Sequence, residues 1–133
     1  MNTPDRKTVT AGNRHPAVMF EISAKDQDKL KRFYQEVFGW EYQIGTGQFA
    51  YVHFEGNTPP LLGGIGQSQP NVPGFEPGHR FYLLVDELAP VIARAESAGG
   101  KQQMPPTAVD GYHFAIVEDP EGNPIGLITP FKD

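Results

Sequence analysis

Residues 18–40 have the sequence VMFEISAKDQDKLKRFYQEVFGW, which predicts a β-strand followed by an amphipathic helix. Apolar and polar residues alternate along the segment Val18–Ala24, as in a strand with one buried face. The next apolar residues have the i, i+3, i+4, i+7, i+8 spacing of one helix face: Leu30, Phe33, Tyr34, Val37 and Phe38. Asp26 is the expected N-cap of this helix, and Gly39 is the residue expected to end it.

The same plan occurs again in the second half of the chain. Residues 81–100 have the sequence FYLLVDELAPVIARAESAGG, in which an apolar run is followed by Asp86 as a candidate cap. A helical stripe then ends at Gly99 and Gly100, and it consists of Leu88, Val91, Ile92 and Ala95. Pro90 lies in the first turn, where a helix tolerates proline. The chain therefore contains an internal repeat of strand, cap, helix and glycine.

Three short strand-like runs follow each helix. They cover residues 42–44, 49–54 and 61–67 in the first half, and 101–104, 112–118 and 124–129 in the second. A stretch rich in Pro and Gly joins the two halves. We therefore predict one α+β domain over residues 18–130 after a flexible tail (1–17), with modules 18–68 and 79–130, linker 69–78, and helices near Lys29–Phe38 and Glu87–Ala98.

Length and composition exclude several classes of protein. A chain of 133 residues has room for one domain, and its net charge of −5 with scattered Lys and Arg argues against nucleic acid as a partner. The absence of cysteine excludes disulfides, thiolate zinc sites and a cysteine nucleophile. No apolar run resembles a signal-peptide core or the roughly 20 residues that span a bilayer. We expect a cytoplasmic protein without a membrane partner.

Several short motifs occur in a characteristic order. They are Phe33-Tyr34 within the first helix, Val37-Phe38-Gly39-Trp40 at its end, Ala98-Gly99-Gly100 after the second helix, and Glu118–Asn123 before the last strand. With the repeat, they make residues 18–130 resemble the vicinal oxygen chelate superfamily, which includes glyoxalase I, extradiol dioxygenases and bleomycin-resistance proteins. The resemblance implies two βαβββ modules that form paired half-barrels around a central cleft. It also leads us to expect a small-molecule ligand and a homodimer, although the sequence alone does not fix the oligomer.

The resemblance further implies where a metal ion would bind. Metal-dependent relatives carry His or Gln early in the first strand, His early in the fifth, and Glu in the fourth and eighth strands. The corresponding residues in this chain are Met19, Arg80, Gly64 and Gly126. A thioether binds hard ions poorly, a guanidinium does not coordinate them, and glycine has no side chain. We therefore predict no metal ligand and no cofactor, unless a one-residue slip of the fifth strand brings His79 into the cleft.

Strand alternation predicts which side chains line the cleft. The candidate proton acceptors are Glu21 and His53, and the candidate ligand-binding residues are Met19, Tyr51, Ile65, Arg80 and Tyr82. Arg80 would anchor an anionic or carbonyl group, and Glu21 would pair with Arg80 in place of the ion. Each residue also has a structural interpretation: Glu21 is solvated at a strand end, Arg80 closes a salt bridge at the rim, or His53 is an ordinary surface histidine.

Three classes of function remain open from the sequence. The first is a metal-independent glyoxalase-like protein, either a binder or an enzyme, that acts on a small anionic or carbonyl-bearing ligand. The second is a metal-dependent lyase or dioxygenase of the glyoxalase I or extradiol type, whose ligands would come from Glu21, His53, His79 and Glu118. The third is an interaction module with a shallow or filled cleft. The sequence leaves open whether any reaction is catalysed.

Overall fold

The structure is a computed structural model that describes residues 14–54 and 62–130. Within these ranges it contains eight strands and two α-helices, in the order β1 (Ala17–Ala24), α1 (Gln27–Phe38), β2 (Gln43–Ile44), β3 (Ala50–His53), β4 (Leu62–Gln67), β5 (Gly78–Leu84), α2 (Leu88–Ser97), β6 (Lys101–Val109), β7 (Tyr112–Glu118) and β8 (Pro124–Ile128). The predicted βαβββ repeat is confirmed. Most of the tail predicted for residues 1–17 lies outside the described residues.

All eight strands form one mixed sheet in the order β2-β3-β4-β1-β5-β8-β7-β6. The first strands of the two modules, β1 and β5, are antiparallel neighbours at its centre. On one side β4 runs parallel to β1, and on the other β8 runs parallel to β5, so the modules are related by a pseudo-twofold axis between β1 and β5. The sheet curls until Thr46, after β2, donates a hydrogen bond to Asp110, after β6.

The helices begin and end largely as the sequence predicts. Asp26 caps α1, because its side chain accepts a hydrogen bond from the backbone N–H of Lys29 at 3.1 Å. Gly39 ends α1 with φ of 71°, a left-handed conformation that glycine adopts without a steric penalty. In the second module the cap position falls on Glu87 and makes no side-chain hydrogen bond, so Asp86 is not the cap.

Both helices pack on the convex face of the sheet. A cluster under α1 contains Ile22, Ala24 and Ile65 with the rings of Phe20, Tyr34 and Trp40 around it. A second cluster joins α2 to the second module through Leu88, Ile92, Ala115, Val117 and Leu127. This packing turns the other face of each central strand toward the concave side, where the candidate site lies.

The two edges of the sheet are short or irregular. The edge strand β2 has only 2 residues. The opposite edge strand β6 contains Pro105 and Pro106, both exposed, where its pairing with β7 shifts register between Met104 and Thr107. No helix in the described part of the chain is long and apolar enough to cross a membrane.

Candidate functional site

A cavity of about 280 Å³ lies between the two modules on the concave face of the sheet. Both modules and the linker contribute to its walls, so the cleft closes within one chain. Its lining among the described residues is mainly apolar and aromatic: Met19, Glu21, Thr46, Phe49, Tyr51, Phe75, Tyr82, Met104, Thr107, Ala108, Val109, Tyr112 and Phe114. Four of the seven predicted site residues line it, namely Met19, Glu21, Tyr51 and Tyr82.

Glu21 is the only acidic side chain on these walls among the described residues. It comes from the centre of β1, where alternation turns it away from α1. Tyr82 donates a hydrogen bond to its Oε1 at 2.7 Å. Burial raises the pKa of Glu21 above its ordinary range, while the charge of Arg80 and the Tyr82 hydrogen bond partly offset this rise.

The two oxygens of the Glu21 carboxylate have different surroundings. Oε1 receives both the Tyr82 hydrogen bond and the ion pair with Arg80. Oε2 accepts no hydrogen bond from any described residue. It points toward Gly66 and the ring of Phe49, and that ring forms part of the cavity wall. Oε2 is therefore the oxygen that a ligand can reach.

The predicted pairing of Glu21 with Arg80 is confirmed, with 3.2 Å between Nε and Oε1. The residues are side by side on β1 and β5 rather than across the cleft. The N–H of Nε makes no aligned hydrogen bond in the described part of the chain, so the contact is an ion pair only. The side chain of Arg80 is 4% exposed, and that of Glu21 is 17% exposed.

Arg80 does not line the cavity, which corrects its predicted role as a ligand anchor. Its two terminal nitrogens donate hydrogen bonds to the backbone carbonyls of Gly74 and Glu76 in the linker. The linker also places Phe75 in the cavity wall, and Ser23 donates a hydrogen bond to the Phe75 carbonyl. Arg80 thus ties Glu21 to the loop that forms one wall.

A second polar network joins the modules near the other side of the cavity. Tyr51 donates a hydrogen bond to Oδ2 of Asp110 at 2.6 Å, and the hydroxyl of Thr46 donates to Oδ1 at 2.7 Å. The hydroxyls of Tyr51 and Tyr112 are 2.7 Å apart. These bonds lower the pKa of Asp110, with Tyr51 as the largest cause, whereas burial raises the pKa of Tyr51. We call these four residues the clasp.

Two further site predictions need correction. Ile65 was expected on a cavity wall, but it is fully buried in the cluster under α1, because β4 turns Leu62 and Gly64 toward the concave face instead. His53 lies at the exposed end of β3, in a separate depression with Asp110 and Leu62. It is therefore not brought together with Glu21.

The sequence reasoning missed most of the aromatic lining. Phe49 precedes Tyr51 by two residues, and Tyr112 and Phe114 alternate on β7, so strand alternation carried a signal for all three. Phe75 comes from the linker, for which alternation predicts nothing. Met104 lies where β6 shifts register, so its direction does not follow from counting either.

The positions at which the superfamily implies metal ligands do not fit a metal ion. Met19 is buried against Tyr82 in a hydrophobic cluster on the concave side of the sheet. Arg80 forms an ion pair with Glu21 and donates a hydrogen bond to the linker. A Cβ atom at Gly64 would overlap the ring of Phe49, and one at Gly126 would overlap the ring of Tyr82. Aromatic rings thus fill the space that two of the four ligand side chains would need.

The alternative ligand set also does not converge. His79 pairs with Ile22 and is exposed, so the strand slip that would bring it into the cleft does not occur. Glu118 lies at the end of β7, where it forms an ion pair with Lys101. Among residues 14–54 and 62–130 no three side chains of Asp, Glu, His or Cys are grouped as metal ligands would be.

Sequence comparisons identify relatives of the chain. The family model for the glyoxalase-like domain matches residues 17–128. A glyoxylase-like domain-containing protein of Didymella fabae is 31% identical over 118 residues, which cover 82% of this chain and 89% of that protein. CFP32 of Mycobacterium tuberculosis, named as a glyoxylase, is 27% identical over 114 residues, which cover 80% of this chain. The chain spans only 42% of that longer relative.

Solved structures share the fold at low identity. A variant of Streptomyces coelicolor methylmalonyl-CoA epimerase, in complex with 2-nitronate-propionyl-CoA, matches with a TM-score of 0.65 at 13% identity, covering 88% of this chain and 98% of that one. A Vibrio splendidus member of the glyoxalase, bleomycin resistance protein and dioxygenase superfamily matches with a TM-score of 0.58 at 16% identity, covering 84% and 97%. The chain therefore belongs to the glyoxalase-like domain family, within the vicinal oxygen chelate superfamily that its sequence resembles.

Proposed function

We propose that this protein binds a small organic molecule between its two modules without a metal ion, and that Glu21 is the proton acceptor of the site. The observation that carries this proposal is that Glu21 is the one carboxylate, among the described residues, in a cavity with mainly apolar and aromatic walls. Pockets of this kind, with few polar groups on apolar walls, are typical of small-molecule sites. A carboxyl group whose pKa is raised by burial is suited to exchange a proton with a ligand.

The volume of the cavity limits the ligand. At about 280 Å³ it lies just below the roughly 300–1,000 Å³ of drug-sized sites, so we propose a ligand of about one ring with a short substituent. An interaction module with a vestigial cleft would have a filled or shallow one, and the open cavity therefore favours ligand binding.

The donor set favours metal independence over the lyase or dioxygenase alternative. The four positions that would hold an ion carry a thioether, an ion-paired guanidinium and two glycines covered by rings. Glu21, His53, His79 and Glu118 lie in four different places. We therefore assign the chemistry of the site to Glu21 and the hydroxyl groups around it.

We also propose a cytoplasmic homodimer, as expected from the sequence. The absence of cysteine is compatible with the reducing cytoplasm, and cell fractionation measures the location. Size-exclusion chromatography with light scattering measures the oligomeric state.

The function is tested by a fragment screen on chelator-treated protein, with thermal shift as the readout, because a ligand that binds the native state raises the melting temperature. Thr107→Trp places a large ring in the cavity, because Thr107 is paired with Phe114 and both side chains line it, and His79→Ala on the convex face is the matched control. We expect fragments that stabilise the wild type and His79→Ala but not Thr107→Trp. Equal stabilisation of Thr107→Trp, or binding only after a divalent metal is restored, would overturn the proposal.

A further inference from the structure

The hydroxyl groups around the cavity donate their hydrogens within the protein. Tyr82 donates to Oε1 of Glu21 at 2.7 Å. Thr46 donates to Asp110 at 2.7 Å, and Thr107 donates to the carbonyl of Pro105 at 2.9 Å. Because a hydroxyl has one hydrogen, these three groups offer a ligand only lone pairs.

The same holds for Tyr51 and Tyr112, where the direction of the bond follows from the acceptor. An ionised carboxylate only accepts, and the lowered pKa of Asp110 keeps it ionised at neutral pH, so Tyr51 donates to it. The hydrogen of Tyr51 is then used, and its 2.7 Å bond with Tyr112 must be donated by Tyr112. Both hydroxyl hydrogens are therefore committed.

The remaining lining side chains carry no donor. They are Met, Phe, Val and Ala residues, apart from Glu21, which only accepts in the ionised form that its ion pair with Arg80 stabilises. The guanidinium of Arg80 faces Glu21 and the linker and does not line the cavity. Among the described residues, the side chains around the cavity thus present hydrogen-bond acceptors only.

We infer that the ligand of this cavity is itself a hydrogen-bond donor: an apolar, ring-sized body that carries an ammonium or hydroxyl group and donates to Oε2 of Glu21. This inference rests on the proposed function and narrows it. The anionic or carbonyl-bearing ligand expected from the sequence carries hydrogen-bond acceptors, and the side chains that line the cavity are acceptors too. The polar groups of such a ligand and of the cavity would therefore stay unpaired when the ligand is buried.

An ammonium ligand fits better than a neutral alcohol. A charged donor to a carboxylate makes a stronger hydrogen bond than a neutral one. The rings of Phe49, Phe75 and Phe114 line the same cavity, and aromatic faces attract a cation.

The test uses four probes of similar size with different polar groups: 1-phenylethylamine, 1-phenylethanol, acetophenone and benzoate. Affinities are measured by isothermal titration calorimetry at neutral pH. We expect the amine to bind most tightly, followed by the alcohol, with both at least about tenfold tighter than acetophenone or benzoate. An alcohol that binds better than the amine still supports a donor ligand and identifies it as neutral.

Glu21→Gln tests the assignment to that residue, because its amide brings N–H donors into the cavity. We expect the amine to lose at least about tenfold in affinity while acetophenone gains, with His79→Ala unchanged as the control. The inference is overturned if acetophenone or benzoate binds as tightly as the alcohol, if no probe binds at millimolar concentration, or if Glu21→Gln weakens all probes equally. Fragment binding in the wider screen would then still support the proposed function.

Discussion

Nε of Arg80 lies 3.2 Å from Oε1 of Glu21, with the two side chains next to each other on the central strands β1 and β5. Removing one member leaves the other as a poorly solvated charge. We therefore expect Arg80→Met to lower the free energy of unfolding by about 3 kcal/mol.

The double variant Glu21→Gln with Arg80→Met removes both charges, and we expect it to be more stable than the sum of the single variants predicts. Urea unfolding of the four proteins gives the coupling energy. Additive effects would show that the ion pair contributes nothing to stability beyond its separate side chains.

The pKa of Glu21 predicts a pH dependence of stability. Its folded-state pKa is raised above the ordinary value of 4.5, so between pH 4.5 and that raised pKa the folded chain holds a proton that the unfolded chain has released. The resulting stability is fully present below pH 4.5 and is lost as pH rises through the folded-state pKa.

The tyrosines that face Glu21 do not titrate in this window, because burial raises the pKa of Tyr82 and of Tyr112 above the ordinary value of 10. We expect the unfolding free energy of the wild type to fall across the window relative to that of Glu21→Gln. Parallel curves for the two proteins would contradict the assignment.

The clasp predicts an acid-sensitive contribution of the opposite sign. The folded-state pKa of Asp110 is lowered from its ordinary value of 3.8, so the stability from its hydrogen bonds is present above that pH and is lost as pH falls through the folded-state pKa. Tyr51→Phe should cost about 1 kcal/mol at pH 7, and this cost should shrink in acid.

Tyr42→Phe is the matched control for the clasp, because the hydroxyl of Tyr42 donates to the backbone carbonyl of Lys31, which does not titrate. Its cost should change little between neutral and acidic pH. Chemical unfolding at both pH values measures the two variants. If the Tyr51→Phe cost is the same at both, Asp110 is not the group that Tyr51 stabilises.

The ring of Phe49 covers Gly64 of β4, so we expect this position not to tolerate a side chain. A Cβ atom there would overlap the ring, and overpacking of this kind costs about 1–3 kcal/mol. We expect Gly64→Ala to be destabilised by that amount, and Gly64→Ala combined with Phe49→Leu to recover part of the loss. Equal stability of the single and double variants would place the strain elsewhere.

The fold was predictable because its signals are local. The apolar spacing of Leu30 and Tyr34, the cap at Asp26 and the glycine at Gly39 each act within one helix, and the same order recurs in the second module. The predicted cap at Asp86 is wrong because α2 begins one residue later than its sequence pattern indicates, with Glu87 at the cap position, and sequence patterns do not fix helix boundaries to a single residue.

The site was predictable only where strands alternate regularly. β1 and β5 do so, and Glu21 and Tyr82 lie where counting placed them. In β4, glycines surround Ile65, so no pattern of apolar and polar residues marks its buried face. The hydroxyls of Tyr51 and Tyr82 donate their hydrogens to Asp110 and Glu21, which lie about sixty positions away in the sequence. No local sequence pattern reveals such a pairing.

The edge strands have a consequence for assembly. An exposed edge pairs with another chain through free backbone N–H and C=O groups, yet β2 is only 2 residues long, and β6 contains Pro105 and Pro106, which have no N–H to donate. Within the described residues, neither edge exposes a long row of free backbone groups to a further strand. We therefore expect copies of this chain that associate to do so through helices, loops or faces of the sheet, and we expect the same two edges to disfavour fibre-like aggregation.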